Sequence, residues 1–467
     1  MELSKRWRTI QISTGWPRSA PVQLSDSHRL TINEEAPILM PHSQLRIAML
    51  SAHSCPVGKL GTKDTGGMSV YIREVASELG KRGHLVDIYT RVHDPEDRQI
   101  YELNQNARLI HLRAGTEEEI HKLAVYLHLL EFVSNLENFR KQNNLHYDLI
   151  FSHYWLSAVA GIYLQQLWHV PHITMFHTLG AVKNAIRKKN CLIPGESEPE
   201  FRIETERDLV QKCHHVVVPT EREKIELIRH YGALSGKISV VPCGVNLELF
   251  KALDKIQARQ YLDFACLPHM KHRGSQSNND KIILFVGRID PLKGLDKLIE
   301  ALSYLRHVKL RLVVIGGGEH SQHEIEQLRK LACEFKVQDA VTFLGLAKYE
   351  QLSYFYSAAD VCVIPSYYES FGLVALESLA CGTPVVATDV GDLKSIIRQG
   401  KTGYVLKDNA PHRLADKIDL LLSRPNTDVK SARLIRETVN KFSWSDIAEA
   451  IIRDCQVVLA SHRSSVS

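Results

Sequence analysis

Apolar runs of four to seven residues recur along this chain, separated by longer stretches in which apolar positions return every three or four residues. The first set of runs falls at 45–51, 85–90, 107–112, 147–152, 172–176, 216–219 and 238–241. A second set falls at 281–286, 310–315, 341–345, 359–365 and 385–388. Such runs read as strands buried on both faces. Between them, Val70, Ile72, Val75, Ala76 and Leu79 mark a helix over 68–81. Helical patterns also lead to about 142, span 201–212, reach 231, follow Gly372, and close the chain over 444–459. Strand and helix alternate in two successive blocks, so the fold class is α/β, with two doubly wound parallel-sheet, Rossmann-like domains. The division expected is a polar extension (1–44), a first domain (45–243), a second domain (244–435) and a C-terminal helix (436–467). The polar stretch 267–280 reads as an exposed insert.

Composition narrows the functional classes. The chain has 467 residues, enough for two or three domains, and a net charge of +5, too mild for a nucleic-acid surface. Nine cysteines are scattered without a C-x-x-C pair, which suits reduced, buried thiols in a cytoplasmic protein. No apolar run approaches the ~18 residues of a membrane span. The first 43 residues contain no apolar core of a signal peptide. The expected partners are small molecules, and oligomeric state is left open.

The most informative stretch is Ser366 to Val390. A strand ending at Pro365 meets a loop, then a helix begun after Gly372 and stopped by Gly382 and Pro384, then a parallel strand. In this arrangement the helix start lies at the carboxyl edge of the sheet, where ligands bind. Its free N–H groups suit a phosphate, whereas Glu369 and Glu377 suit sugar hydroxyls as acceptors. Amides for a diphosphate flanked by carboxylates for two sugars match a nucleotide-sugar. Arg288 and Lys293 lie on another strand-to-helix loop, where two cations can clamp a diphosphate leaving group. Gly66 and Gly67 precede the 68–81 helix without a G-x-G-x-x-G turn, so a tight dinucleotide site is not supported. Two strand ends carry histidines, His153 and His177, which residues past parallel strands turn toward a ligand crevice. They have no partner at metal-ligand spacing.

The run E-S-F-G-L-x-x-x-E-x-x-A-x-G-x-P-V-V-A from Glu369, with G-R-x-x-x-x-K-G from Gly287 and P-x-G-V-N-x-x-x-F from Pro242 to Phe250, resembles the retaining glycosyltransferases of the sucrose synthase and glycogen synthase type. Within that family the chain is most similar to the D-inositol-3-phosphate glycosyltransferase branch, with sucrose-phosphate synthases next. The matching segments are Gly61 to Met68, Ser152 to Ser157, His177 to Asn184, and Glu198-Pro-x-x-Arg202-x-x-x-Glu206. The resemblance implies a GT-B fold, two domains facing across a cleft, with the last helix packed back on the first domain. It implies that Arg288, Lys293 and the amides of Leu373 and Val374 hold the diphosphate. Glu377 would hold the ribose. Glu369, with the amides of Phe371 and Gly372, would hold donor-sugar hydroxyls, and Gly67 would lie beside the donor. His177 would contact the sugar near its reacting carbon. For the acceptor it implies Gly66, Gly67 and Ser69, and a phosphate cradle of Lys122, Tyr154, Thr178 and Arg202. Lys122 is placed by aligning Ala114-Gly115, and Ser69 stands where the branch usually has Asn, a contact to acceptor hydroxyls.

The expected reaction is therefore glycosyl transfer with retention from a nucleoside-diphosphate sugar, uridine favoured, to a small hydroxyl acceptor whose phosphorylation is left open. No carboxylate stands out as a covalent nucleophile, and the expected cofactor set is empty, with no obligatory metal. Three rivals remain: a membrane-surface mannosyltransferase acting on a lipid or glycan, a non-catalytic nucleotide-sugar-binding protein, and a phosphorylase carrying a lysine-bound pyridoxal.

Overall fold

The computed structural model describes residues 44–58, 60–61, 65–118, 120–190, 193, 195–262, 280–306, 309–318, 321–424 and 429–466. The expected extension over 1–43, the insert over 267–279, loop residues 62–64, Cys191, Cys266 and Glu319 lie outside the described residues.

Eight strands form the first sheet: β1 (Arg46–Ser51), β2 (Leu85–Arg91), β3 (Ile100–Asn104), β4 (Ala107–Leu112), β5 (Leu149–His153), β6 (His172–Met175), β7 (His215–Val218) and β8 (Ile238–Val240). Their order is β3-β4-β2-β1-β5-β6-β7-β8. Six form the second: β9 (Lys281–Val286), β10 (Leu310–Ile315), β11 (Val341–Gly345), β12 (Val361–Ile364), β13 (Val385–Thr388) and β14 (Gly403–Leu406), ordered β11-β10-β9-β12-β13-β14. Both orders reverse at the middle of the sheet, as doubly wound folds do, and leave a crevice at the carboxyl ends there.

One strand departs from the expected parallel arrangement. β3 pairs antiparallel with β4 at the sheet edge. Its polar, partly charged sequence hid it from a search for buried runs, and Ile100 and Tyr101 are exposed. A tight turn closes this hairpin, with Asn104 Oδ1 accepting from the amides of Asn106 and Ala107 at 3.0 and 3.1 Å.

The core is layered accordingly. One face of the first sheet packs on the helices Leu129–Gln142 and Tyr154–Trp168, burying Phe132, Leu136, Trp155 and Leu164. The outer face of the second sheet packs on Leu295–Leu302 and Pro411–Leu422. The remaining faces share one continuous cluster with the helix Gly67–Lys81 and the final helix. That final helix, Trp444–Val466, runs past the end expected at 459. Ile447, Ala448, Ile451 and Cys455 bury its apolar stripe in this cluster, with Val75 and Leu79 of Gly67–Lys81.

The chain passes between the two lobes twice, and the two passages touch. The Val245 amide donates to Phe442 O at 2.7 Å, and Val245 bridges Ser443. A Cβ at Gly244 would lie 2.6 Å from the Trp444 ring, so only glycine lets the two segments approach this closely.

Candidate functional site

A cleft of about 330 Å³ lies between the lobes and is lined from both. From the first come His53, Gly66, Gly67, Lys122, Tyr154, His177, Thr178 and Lys183; from the second, Arg288, Asp290, Lys293, Gly316 and the run from Tyr368 to Val374, with Glu377.

The second-lobe wall follows from the strand–loop–helix reading. Gly372 caps the helix Leu373–Ala380 at φ +119°, and a Cβ there would lie 2.5 Å from Leu393. Glycine therefore permits the turn that starts this helix at the cleft, where the first-turn amides of Leu373 and Val374 have no partner in the helix ladder. Lys293 Nζ donates to Glu369 Oε1 at 2.7 Å, and Ser366 Oγ donates to the same oxygen at 2.8 Å. Arg288 lies 3.9 Å from Asp290, whose carboxylate also accepts from the Leu292 amide at 2.9 Å. Glu377 lies deeper than a simple hydroxyl acceptor would. Tyr356 and Tyr349 donate to its two oxygens at 2.7 and 3.2 Å. Burial pushes its carboxyl up to about 7, the two tyrosines offsetting part of the rise.

On the first-lobe wall, two residues just past strand ends take left-handed backbone without being glycine: Tyr154 at φ 75° and His177 at φ 59°. Such conformations cost about 1–3 kcal/mol each and concentrate at functional sites. His177 Nε2 lies 3.0 Å from His153 Nδ1, and burial lowers the His177 ring to about 3, so the pair is neutral. His153 is itself fully buried and stands behind His177 rather than in the cleft.

The acceptor residues implied by the resemblance divide. Gly66, Gly67, Lys122, Tyr154 and Thr178 line the cleft; Ser69 and Arg202 do not. Ser69 falls on the sheet-facing side of its helix, fully buried, with its hydroxyl 2.8 Å from Ser54 Oγ. Arg202 is also fully buried, held by Glu198 at 2.8 Å and Glu206 at 2.7 Å, and it donates to Thr178 O and Oγ1 at 2.9 and 3.1 Å. Its guanidinium carbon lies 5.0 Å from the Tyr154 ring centroid. It thus supports the two cleft hydroxyls from beneath. The cation that does reach the cleft beside Lys122 is Lys183, in the matched segment but not singled out there. Both lysines lean on Glu198, Lys122 at 3.5 Å and Lys183 in a short hydrogen bond. Burial alone would raise the Glu198 carboxyl, but Arg202, Lys122 and Lys183 outweigh it and hold it well below the usual range. Burial, with Lys122 alongside, pulls Lys183 down.

Among the described residues no group of three or more His, Cys, Asp or Glu side chains is placed to hold a metal ion. No described helix is long and apolar enough to cross a membrane. In the basic helix Gly180–Lys189, Ala181 and Val182 pack, partly buried, on the protein's own core. Cys55, Cys213, Cys243, Cys362, Cys381 and Cys455 are free and buried; Cys333 is free and exposed.

Comparison with known proteins gives concordant matches. Residues 270–439 match the family described as "Glycosyl transferases group 1", and residues 65–249 match "Glycosyltransferase Family 4". The chain is 36% identical over 409 residues to a D-inositol 3-phosphate glycosyltransferase of Corynebacterium glutamicum, covering 86% of this chain and 94% of that one. It is 37% identical over 414 residues to the enzyme of the same name from Corynebacterium jeikeium, covering 87% and 95%. Among solved structures, the sucrose-phosphate synthase of Thermosynechococcus elongatus superposes with a TM-score of 0.78 at 31% identity, covering 90% of this chain and 100% of that one. HepE from Anabaena, solved in complex with UDP and glucose, shares the fold at a TM-score of 0.67 and 17% identity, covering 89% and 100%.

The Glu377 environment predicts a pH-dependent stability. Its folded carboxyl holds a proton to about pH 7, whereas an unfolded glutamate releases it lower, so folding takes up a proton between the two. The stability this group contributes is complete below the ordinary glutamate range and is lost as pH rises through about 7. Glu377→Gln keeps an acceptor for the tyrosines and has no charge to bury. Thermal unfolding of both proteins should show the variant gaining on the parent between about pH 5 and about pH 8, by on the order of 2 kcal/mol. Parallel curves would contradict the assignment.

Proposed function

The chain belongs to the group 1 glycosyltransferases, and we propose that it moves a sugar, with retention, from a UDP-sugar to a small phosphorylated polyol or sugar in the cytoplasm. The observation that carries this reading is the distribution of charge in the cleft. Arg288 and Lys293 line one wall with the first-turn amides of Leu373 and Val374; Lys122 and Lys183 line the other and share the single carboxylate of Glu198. Two pairs of cations, one on each wall, suit two anions, a diphosphate and an acceptor phosphate.

Residue roles follow from position. Arg288, Lys293 and the helix start take up the charge that develops on the departing diphosphate. Glu369, paired to Lys293, binds hydroxyls of the sugar next to that diphosphate. Glu377 binds the ribose with Tyr349 and Tyr356 orienting its carboxyl. Retention proceeds on one face of the sugar, a donor phosphate oxygen taking the acceptor's proton. A double displacement would instead need two carboxyl groups about 5 Å apart across the bond. Lys122, Lys183, Tyr154 and Thr178 hold the acceptor phosphate, and Arg202 holds Tyr154 and Thr178 in place. The names of the curated relatives support the phosphorylated-acceptor part of the reading. Ser69 argues for an acceptor whose hydroxyls are met differently from inositol's, because its own hydroxyl is engaged by Ser54.

Two measurements test the two patches. A thermal-shift screen of nucleoside diphosphates and their sugars, followed by transfer assays, identifies the donor. Arg288→Ala and Lys293→Ala should then each lower kcat/KM by about 10² or more while leaving unfolding temperature near that of the parent. The reaction of the parent enzyme should persist in excess chelator. Normal transfer by both variants would remove the leaving-group assignment.

For the acceptor patch, paired phosphorylated and unphosphorylated acceptors are compared. Lys122→Met or Lys183→Met should weaken use of the phosphorylated acceptor about ten- to hundredfold, the loss of one charge-assisted contact, with donor affinity unchanged. Equal kcat/KM for both acceptors in the parent enzyme would dismiss the phosphate.

A further inference from the structure

The residue after Glu369 reaches across the cleft. Ser370 Oγ donates to Glu223 Oε2 at 2.8 Å. Glu223 belongs to the first-lobe helix Glu221–Tyr231, capped by Thr220, whose hydroxyl accepts the Glu223 amide at 3.0 Å. In a T-x-x-E helix start the glutamate ordinarily folds back to the amide of the capping residue. Here the carboxylate turns to the other lobe instead. It is only 6% exposed, and its second oxygen has no hydrogen-bond partner among the described residues. The groups that face it are Ser370 and Tyr368 of the donor loop, Glu206 of the helix Glu200–Lys212, and the Cys243 thiol at the passage between lobes. The preceding residue crosses as well: Arg222 binds Asp389 through Oδ1 at 2.7 Å and O at 2.9 Å.

A carboxyl desolvated in this way, with one partner and that partner on the opposite lobe, makes its contact only while the lobes are together. The contact also falls on the residue next to the glutamate that faces the sugar. We propose that Glu223 is a positioning residue for transfer: with Ser370 it latches the closed lobes and sets Glu369 in the cleft. Arg222 and Asp389 form the second arm of the latch. The inference rests on the reading of this loop as the UDP-sugar site.

The test combines scattering with kinetics on the full chain, using UDP as the closing ligand and UDP release from UDP-glucose or UDP-N-acetylglucosamine as the turnover. UDP should contract the parent enzyme in small-angle scattering and contract Ser370→Ala and Glu223→Ala less. Each variant should lose about tenfold in kcat while UDP affinity changes far less, since a closure contact is not a nucleotide contact. The double variant should be no worse than Glu223→Ala alone, because the two side chains act as one pair. Glu223→Gln, whose amide oxygen still accepts from Ser370, should recover most of the lost kcat. Ser370 lies on a loop, so its variant keeps the test valid if Glu223→Ala does not fold. Variants that close and turn over like the parent, or losses that add in the double variant, would overturn the latch alone. A parent enzyme that does not bind UDP would overturn the nucleotide reading beneath it.

Discussion

In a parallel sheet every crossing helix starts at the same edge, so unpaired N–H groups and strand carboxyl ends gather there. This chain sets two such edges face to face. Gly67–Lys81 and Leu373–Ala380 both begin at the cleft, each after a glycine, and the field of their first turns points into it. Arg288, Lys293, Lys122 and Lys183 add formal charge of the same sign. The concentration of positive charge is tolerable because each patch carries its own carboxylate: Asp290 and Glu369 on one side, Glu198 on the other. Nearly every other feature of the site serves to hold these charges at fixed places.

Beneath the first-lobe wall lies a buried polar layer that does this work. Glu206 accepts from Arg202, from the Tyr231 hydroxyl at 2.5 Å and from the Gly180 amide at 2.9 Å. Removing one member would leave the others buried and unpaired, so the layer holds together as a set. Its product is local: Arg202 fixes Thr178, and the Gly180 amide fixes the start of the helix that follows His177. The left-handed backbone at His177 is therefore enclosed by bonds on its downstream side, which is how such strain persists in a folded protein.

Much of this was legible in the sequence, for reasons that also explain the rest. Most of the parallel strands announced themselves because burial on both faces makes them continuously apolar; the edge strands β3 and β14, the latter parallel but only partly buried, gave no such signal. The strand–loop–helix around Glu369 was readable because glycine, proline and carboxylates punctuate it in a fixed order. Whether a charged side chain faces ligand or core was not readable. Arg202 and Lys183 sit in equally good motif matches, yet Arg202 is enclosed by two glutamates one helical turn to either side, and Lys183 reaches the cleft. A spacing of four residues to Glu198 and to Glu206 was present in the sequence and marks a guanidinium satisfied by its own helix and its approach. The inter-lobe contacts of Ser370 and Arg222 depend on how two domains meet, which no local pattern encodes.

The histidines show how burial divides the labour of the proposed reaction. His53, His153 and His177 cluster at the first-lobe edge, and burial lowers all three, so none is positively charged at neutral pH. A neutral ring cannot offset charge on a departing diphosphate, nor would a cationic one steady a sugar that is itself becoming positive. What His177 can offer a sugar is a hydrogen bond from its strained backbone or its ring, in a geometry fixed by His153 behind it. On the proposed mechanism, the positive charge needed by the leaving group must then come from Arg288, Lys293 and the helix start, all on the opposite lobe. The sugar's reacting carbon falls between a neutral, shape-defining wall and a charged one. Bond breaking therefore depends on how closely the two walls are brought together.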